Sequence, residues 1–316
     1  MDFPGRSERA SGTLRVALLG LPGAPDVLGR GALPAPRNAP GPSRRERIAR
    51  AIAAAGAAGA QVVLTPECAW PGYAPGATGD GGLDTLGWAA EAAAAAGVHL
   101  ALGVDAGRWA GLAWFAPDGA MSVHPKRFPT PAESRAWDAG PGAQVRATPF
   151  GAVGLLVCAD VLHRRAWEDL AGRVDLVCVA AAWPDYDGRL ARLPAPVRPL
   201  ARPVVEGSAG WRAAWLPRAA RAVGAPVVLC DARGPRTDVP GEGFLDAPGA
   251  WDAGGAPLPL RVVPQDDADT VLRLVDVPVG RVAPRGAAAS DAGWRAFAAG
   301  YRAAAGLVRL SRPRRG

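Results

Sequence analysis

The sequence nearly lacks lysine and asparagine. Of its 36 lysines and arginines only Lys126 is a lysine, and Asn38 is the single asparagine. The bias towards alanine, arginine, glycine and proline is typical of coding drift, under which arginine replaces a surface lysine at little cost in stability. A lysine that persists under this drift indicates a position where a compact ammonium of tunable pKa is required. Chance survival on a solvated face is the alternative.

Sequence signatures of metal, nucleotide and membrane binding are also missing. The four cysteines, Cys68, Cys158, Cys178 and Cys230, form no CxxC pair, and the three histidines are scattered, so we expect no metal. No GxGxxG or P-loop pattern supports a cofactor. No apolar run is long enough to span a membrane, and the N-terminus lacks the apolar core of a signal peptide. We therefore expect a cytoplasmic protein with free thiols and no membrane partner.

The net charge of +7 would suit a nucleic-acid partner. The arginines are dispersed, however, whereas nucleic-acid-binding proteins concentrate their charge on one face. We expect no nucleic-acid partner. With 49% hydrophobic residues among 316, the chain can bury one large core.

Apolar strands alternate with helical segments along the chain, which favours an α/β fold, and late hairpins indicate mixed sheets. The predicted strands are Leu14–Leu19, Gln61–Thr65, Val98–Val104, Gly111–Phe115, Ala120–His124, Ala152–Val157, Asp175–Ala181 and Pro226–Asp231, with two or three short ones between Gly243 and Val277. The predicted helices are one after the capping box at Ser43, Leu83–Ala96, a helix after Val157 reaching Ala171, Trp211–Val223 and Trp294–Gly306.

The predicted organisation is one domain with two flanking segments. Residues 1–12 form a flexible leader, 13–283 the domain, and 284–316 a C-terminal extension expected at an oligomer interface. Within the domain, the Pro/Arg-rich residues 184–210 are predicted to form a surface excursion on the substrate side. Its arginines are consistent with an acidic substrate, although solvated loop arginines are the commoner explanation.

Three segments place reactive side chains where apolar strands end. Glu67, in LTPECAWPGY, follows one strand directly, so its partial desolvation would raise its pKa and suit a general base. Lys126 follows a hairpin strand, and Glu133 lies seven residues further on. Cys158, in GLLVCAD, lies where a strand ends and a helix is predicted to begin, which would lower the pKa of its thiol. The Ala159 N–H could then donate to an oxyanion.

Each segment also has an ordinary structural explanation: an exposed loop glutamate, a surface turn and a packed core cysteine. A fourth segment, VCVAAAWP, is a buried strand that opens into an aromatic loop. We predict that Trp183 and Pro184 from this loop and Tyr73 from the glutamate loop line a substrate pocket.

Taken together, the segments resemble the nitrilase, or carbon-nitrogen hydrolase, family. LTPECAWPGY resembles its glutamate motif, HPKRFPTPAESRAW its lysine motif with a second glutamate, and GLLVCAD its cysteine motif, in the family's order. The likeness extends from Arg15 to Val277. It implies a four-layer α-β-β-α sandwich with mixed sheets, homodimers or larger homo-oligomers, and a Glu67, Lys126 and Cys158 catalytic set supported by Glu133.

The resemblance implies a hydrolase for a small linear amide or carbamoyl amide, acting through a cysteine thioester. A nitrilase, an N-acyltransferase with the same side chains, and a non-catalytic metabolite-binding member are the alternatives. The chain departs from the family after Cys158, where Leu162 to Glu168 replace a Pro-Glu pair and an arginine. It also carries Asp231 where the family often has asparagine. These departures affect mainly the expected substrate preference.

Overall fold

The structure, a computed structural model, describes residues 12–23, 43–73, 75, 83–131, 133–142, 145–185, 195–196, 198–199, 214–235 and 243–284. The strands are β1 (Gly12–Gly20), β2 (Val62–Leu64), β3 (His99–Asp105), β4 (Ala110–Phe115), β5 (Met121–Pro125), β6 (Val145–Thr148), β7 (Gly151–Val157), β8 (Leu176–Ala181), β9 (Pro184–Asp185), β10 (Val227–Asp231), β11 (Gly243–Phe244), β12 (Gly249–Trp251), β13 (Arg261–Val263) and β14 (Val271–Val279). The helices are α1 (Arg44–Ala57), α2 (Gly87–Ala96), α3 (Arg164–Glu168) and α4 (214–223), with 3₁₀ turns at Leu83–Leu86, Glu133–Arg135 and Cys158–Leu162.

Within the described ranges, two large sheets form the centre of the fold. The seven-stranded sheet has the order β13-β14-β1-β2-β3-β4-β5, and the five-stranded sheet has the order β12-β10-β8-β7-β6. The middle strands run parallel, β1-β2-β3 in one sheet and β7-β8-β10 in the other, and antiparallel strands flank them. Parallel strands bring their carboxyl ends to one edge of a sheet, so the residues that follow β2 and β7 lie where α/β folds place their sites.

The sheets pack against each other between two layers of helices. Leu14, Val16 and Leu18 of β1 contribute to the core shared with β7, β8 and β10. The intervening Ala17 and Leu19 pack in a second core with α1 and α2, because successive strand residues face opposite sides. Residues of α3 and α4 join the core of the five-stranded sheet. This confirms the predicted α/β fold of four layers, α-β-β-α, with mixed sheets.

Most predicted strands and two local motifs agree with the structure. Strands β1 to β5, β7, β8 and β10 lie within a residue or two of the predicted positions. The capping box is present, since Glu46 Oε2 accepts from the Ser43 N–H at 2.7 Å and Ser43 Oγ accepts from the Glu46 N–H at 3.3 Å. The hairpin at Asp118 is also present: β4 and β5 are antiparallel, and the carboxylate accepts from the Ala120 N–H at 3.0 Å.

Two predictions from the sequence were wrong, and one strand was not predicted. The helix expected from Cys158 to Ala171 is a five-residue 3₁₀ turn followed by the five-residue α3, because His163 between them has an extended backbone. The short late strands include β14, which is nine residues long and pairs with the whole of β1. The strand Val145–Thr148 was missed; only its pairing with β7 identifies it, since it is mostly half-buried.

Several predicted segments lie outside the described residues. These are the leader up to residue 11, most of the excursion at 184–210, and the extension beyond Pro284, including the helix predicted at Trp294–Gly306. Their boundaries and the oligomer interface stay predictions. In the ranges that the structure does describe, no helix has both the length and the hydropathy to cross a membrane.

Gly103 in β3 fixes the position of the loop after β2. A Cβ added there would lie 1.9 Å from the carbonyl oxygen of Pro66 and 2.9 Å from the nitrogen of Cys68. We expect Gly103→Ala to displace this loop and to lower the free energy of unfolding by about 1–3 kcal/mol, the usual range for overpacking. Urea denaturation measures the change.

Gly87→Ala is the matched control for this substitution. A Cβ at Gly87 meets nothing within 4 Å, and alanine is favoured over glycine in a helix by up to about 1 kcal/mol. Equal stability of the two variants would contradict the proposed close approach at Gly103.

Candidate active site

Glu67, Lys126 and Cys158 come from three separate loops and lie together in the protein. Lys126 directly follows β5, Cys158 directly follows β7, and Glu67 lies three residues after β2. The exposed fractions are 1% for Glu67, 0% for Lys126 and 7% for Cys158. Glu67 is therefore not an exposed loop glutamate, and Lys126 is not a surface lysine. A buried ammonium is rare unless it is paired with an opposite charge.

The Lys126 ammonium lies between two carboxylates. Its Nζ donates to Glu67 Oε1 at 2.6 Å and to Glu133 Oε2 at 2.8 Å. Glu133 is held in turn by the Tyr73 hydroxyl, which donates to Oε1 at 2.6 Å, and by the Thr130 N–H, which donates to Oε2 at 2.7 Å. An ammonium has three N–H donors, so one remains for a further acceptor.

Two aromatic side chains surround this network. Lys126 Nζ lies 5.8 Å from the ring centroid of Trp137, a distance at which a cation is attracted to an aromatic face. The Trp137 indole packs edge-on against Tyr73 and donates to Asp105 at 3.2 Å. Neither Trp137 nor Thr130 was predicted from the sequence, although both lie within the lysine motif.

The three charges shift one another's pKa in different directions. Burial lowers the pKa of Lys126, but Glu133 and Glu67 outweigh burial and hold it well above its usual value. Burial raises the pKa of Glu133, but Lys126 and the hydrogen bond from Tyr73 bring it below its usual value. Burial raises the pKa of Glu67 to about 7, only partly opposed by Lys126. Of the two carboxylates, Glu67 is the one whose pKa is raised, as its position after a buried strand predicted.

Glu67 has one oxygen available for that proton. Oε1 accepts from Lys126, whereas Oε2 is buried and accepts no well-aligned hydrogen bond from the described residues. Glu67 and Cys158 lie close enough for each to shift the pKa of the other. The arrangement can therefore move a proton from the thiol to the carboxylate.

The predicted lowering of the Cys158 pKa was wrong. Burial, followed by the charge of Glu67, raises the pKa of the thiol well above its usual value, although Lys126 and the Ala182 N–H partly oppose the rise. The five-residue 3₁₀ turn that begins at Cys158 is too short to offset these effects. Cys158 therefore rests as a thiol and needs a base before it can act as a nucleophile.

The backbone at Cys158 is strained. Its φ of 46° is in the left-handed region, which costs a non-glycine residue about 1–3 kcal/mol. Such strain persists where the surroundings enforce it, and it is concentrated at functional sites. Ala159 follows in the same turn and is buried, and its role as an oxyanion donor stays a prediction.

The predicted pocket residues have distinct positions. Tyr73 belongs to the charged network through Glu133. Trp183 is buried in the same core as Cys158, and Pro184 pairs with Phe244 through β9 and β11. Their role as pocket walls stays a prediction.

Asp231 has a clear structural reason to be an aspartate. Its Oδ1 accepts from the Trp183 N–H at 2.9 Å and its Oδ2 from the Ala247 N–H at 3.3 Å. Asparagine would place an amide N–H₂ against one of these donors. The departure from the family pattern thus fits the backbone around it.

No cluster of three or more histidine, cysteine or acidic side chains in the described part of the chain is arranged to hold a metal ion. The network of Glu67, Lys126 and Glu133 instead contains its own cation, which neutralises one carboxylate directly.

The chain matches the carbon-nitrogen hydrolase family over residues 34–193 and belongs to that family, whose members are hydrolases acting on carbon-nitrogen bonds. A search of curated proteins gave no match. The fold is similar to that of an amidase from Nesterenkonia sp., with 21% identity, a TM-score of 0.60, and coverage of 87% of this chain and 93% of the other.

Two further structures of variants of the Nesterenkonia sp. AN1 amidase are also similar. One, with 21% identity, a TM-score of 0.60 and coverage of 87% and 93%, shows covalent addition of the acetamide moiety of fluoroacetamide at the active-site cysteine. The other, with 20% identity, a TM-score of 0.60 and coverage of 87% and 94%, is a complex with butyramide. At these identities the likeness establishes the fold of the present chain.

Since Lys126 is the only lysine, isotopically labelled lysine gives one side-chain resonance that reports on the site. We expect this resonance to keep the shift of a charged ammonium as the pH rises through 10.5, because the folded pKa is raised above that value. The stability contributed by Lys126 is correspondingly complete below its unfolded pKa and is lost as pH rises through the folded one. Titration at or below 10.5 would contradict the paired arrangement.

Proposed function

We propose that this chain hydrolyses a small, uncharged linear amide or carbamoyl amide through a thioester on Cys158. The observation that carries the proposal is the Lys126 ammonium held by two buried carboxylates, one of them with a pKa of about 7 beside a strained cysteine. The similar fold of an amidase whose active-site cysteine takes up an acetamide moiety supports the same chemistry.

In the first step Glu67 Oε2 removes the proton from the Cys158 thiol. A base is needed because the thiol pKa is raised by burial and by the neighbouring carboxylate. The thiolate sulfur then forms a bond to the amide carbon, and the carbonyl electron pair moves to oxygen. We expect the third N–H of Lys126 and the Ala159 N–H to stabilise this oxyanion.

In the second step the tetrahedral intermediate collapses. The oxygen lone pair re-forms the carbonyl, the carbon–nitrogen bond breaks, and Glu67 returns its proton to the departing nitrogen, which leaves as ammonia or an amine. Water then attacks the thioester while Glu67 accepts its proton, and the proton passes to Cys158 as the acid product departs. Glu133 keeps Lys126 in place and charged throughout.

The charge of the site favours an uncharged substrate. With both carboxylates ionised, Glu67, Glu133 and Lys126 together carry one net negative charge, which would repel a carboxylate close to the thiol. Of the excursion arginines, only Arg198 lies within the described residues, so their relation to an acidic substrate stays a prediction.

Ammonia release from a panel of small amides, carbamoyl amides and nitriles tests the proposed reaction. We expect release from amides or carbamoyl amides and none from the Cys158→Ala protein. Release from nitriles alone would assign a nitrilase, and faster turnover with added amine acceptors than with water would assign an acyltransferase. No release, with Cys158 no more reactive than the other three buried cysteines, would favour a binding role.

The pH dependence of kcat/KM follows from the state of Glu67. The base must be ionised, so we expect kcat/KM to rise as pH increases through about 7, the pKa to which burial raises this carboxyl. The Glu67→Gln protein should lose most of the activity, and its kcat/KM should no longer rise through pH 7. A wild-type profile that rises with a midpoint near 4.5, the ordinary value for a glutamate, would contradict the assignment of Glu67 as the base.

Replacing the lysine tests the oxyanion role. Lys126→Arg should lower kcat about 100- to 1000-fold, the usual effect of losing one oxyanion donor, because a planar guanidinium does not fit between two carboxylates spaced for an ammonium. Arg108→Lys, the opposite exchange in an exposed ion pair, is the control and should stay near wild-type activity. Similar kcat values for the two variants would rule out the role given to Lys126.

A further inference from the structure

Asp160 is a buried carboxylate that takes no part in the proposed amide hydrolysis. Its exposed fraction is 1%. Its Oδ1 accepts from the backbone N–H groups of Arg127 at 3.1 Å and Phe128 at 2.8 Å, and its Oδ2 accepts from the Val157 N–H at 3.0 Å. One carboxylate therefore joins the residues just after Lys126 to the residue just before Cys158.

Two side-chain contacts attach the same lysine loop to the segment after Cys158. The Phe128 ring stacks on His163 with centroids 3.9 Å apart, and the Arg127 guanidinium pairs with Asp169. Both contacts are at least partly exposed. Asp160 is the buried connection, and the only one of the three that reaches the backbone on both sides.

The chemistry of the carboxylate suits this position. An ionised aspartate accepts hydrogen bonds at both oxygens, whereas asparagine would set an N–H₂ group against at least one of the three N–H donors. Burial raises the pKa of Asp160 to about 6, although Lys126 and the three backbone N–H groups oppose the rise. Leaving a buried N–H unpaired would be costly, so the loops would shift to find other partners.

We propose that Asp160 is a positioning residue that fixes Lys126 Nζ relative to the Cys158 thiol, so that the oxyanion formed in the proposed amide hydrolysis meets the ammonium. The inference rests on the proposed function for its consequence in catalysis, whereas the geometry it describes can be measured without substrate. Displacements near 1 Å can reduce turnover about 100-fold.

The test compares Asp160→Asn with Asp175→Asn. Asp175 is a matched control: it is also buried, accepts from the Ala152 N–H at 2.7 Å and pairs with Arg281, but it contacts the opposite end of β7 from Cys158. The first readout is the resonance of isotopically labelled Lys126, the single lysine. We expect it to shift in the Asp160 variant and to stay at the wild-type position in the Asp175 variant.

The second readout distinguishes an effect on the position of Lys126 from an effect on the reactivity of Cys158. Alkylation of Cys158 by iodoacetamide forms no oxyanion, whereas amide hydrolysis does. We expect Asp160→Asn to lower kcat about 100-fold and the alkylation rate less than about 5-fold, since only turnover needs the ammonium in place. Asp175→Asn should change neither rate by more than about 3-fold.

An unshifted lysine resonance in Asp160→Asn, or equal losses of turnover in the two variants, would overturn the inference. If the asparagine variant does not fold, Asp160→Glu keeps the charge, lengthens the side chain and should shift the same resonance. Failure of both to fold would assign Asp160 to folding alone and also overturn it. Absence of amide turnover in the wild-type protein would refute the proposed function instead, and the resonance would still decide the position of Lys126.

Discussion

A buried ammonium shared by two carboxylates is the interaction on which the site depends. Taking three charges out of water is costly, and removing one partner leaves an uncompensated charge, so the arrangement holds only if the surrounding backbone keeps it in place. The packed strands supply that backbone: β5 ends just before Lys126, the loop after β2 presents Glu67, and Glu133 in its 3₁₀ turn lies within hydrogen-bonding distance of Lys126. The charge network thus depends on the backbone that the sandwich fold supplies.

The two carboxylates differ in pKa, and this difference is what would allow one of them to transfer protons. Glu133 receives hydrogen bonds from Tyr73, Thr130 and Lys126 and stays ionised, so it serves as an anchor. Glu67 has fewer such contacts: Lys126 donates to Oε1, and the buried Oε2 accepts no well-aligned hydrogen bond within the described ranges, so burial raises its pKa to about 7. Environments that push the pKa values of neighbouring acids apart are how a protein assigns one acid to structure and another to proton transfer.

Most strands and the main site residues could be predicted from the sequence because they depend on local signals. Strand patterns located the strands, and the absence of any other lysine marked Lys126. What the sequence did not show depends on contacts between distant segments. The pairing of β14 with β1 joins residues far apart in the chain, and the raised pKa of Cys158 comes from burial and from Glu67 on another loop. Asp160 was missed for the same reason, since the backbone groups it binds include two from the lysine loop.

The proposed hydrolysis requires that an amide acylate Cys158. The most direct measurement is intact and peptide mass spectrometry of protein mixed with butyramide and quenched in acid within the first turnover. We expect a butyryl group on the peptide that contains Cys158 and on no other cysteine. Release of ammonia without any acyl group on Cys158, at quench times shorter than one turnover, would contradict it and require direct attack by water.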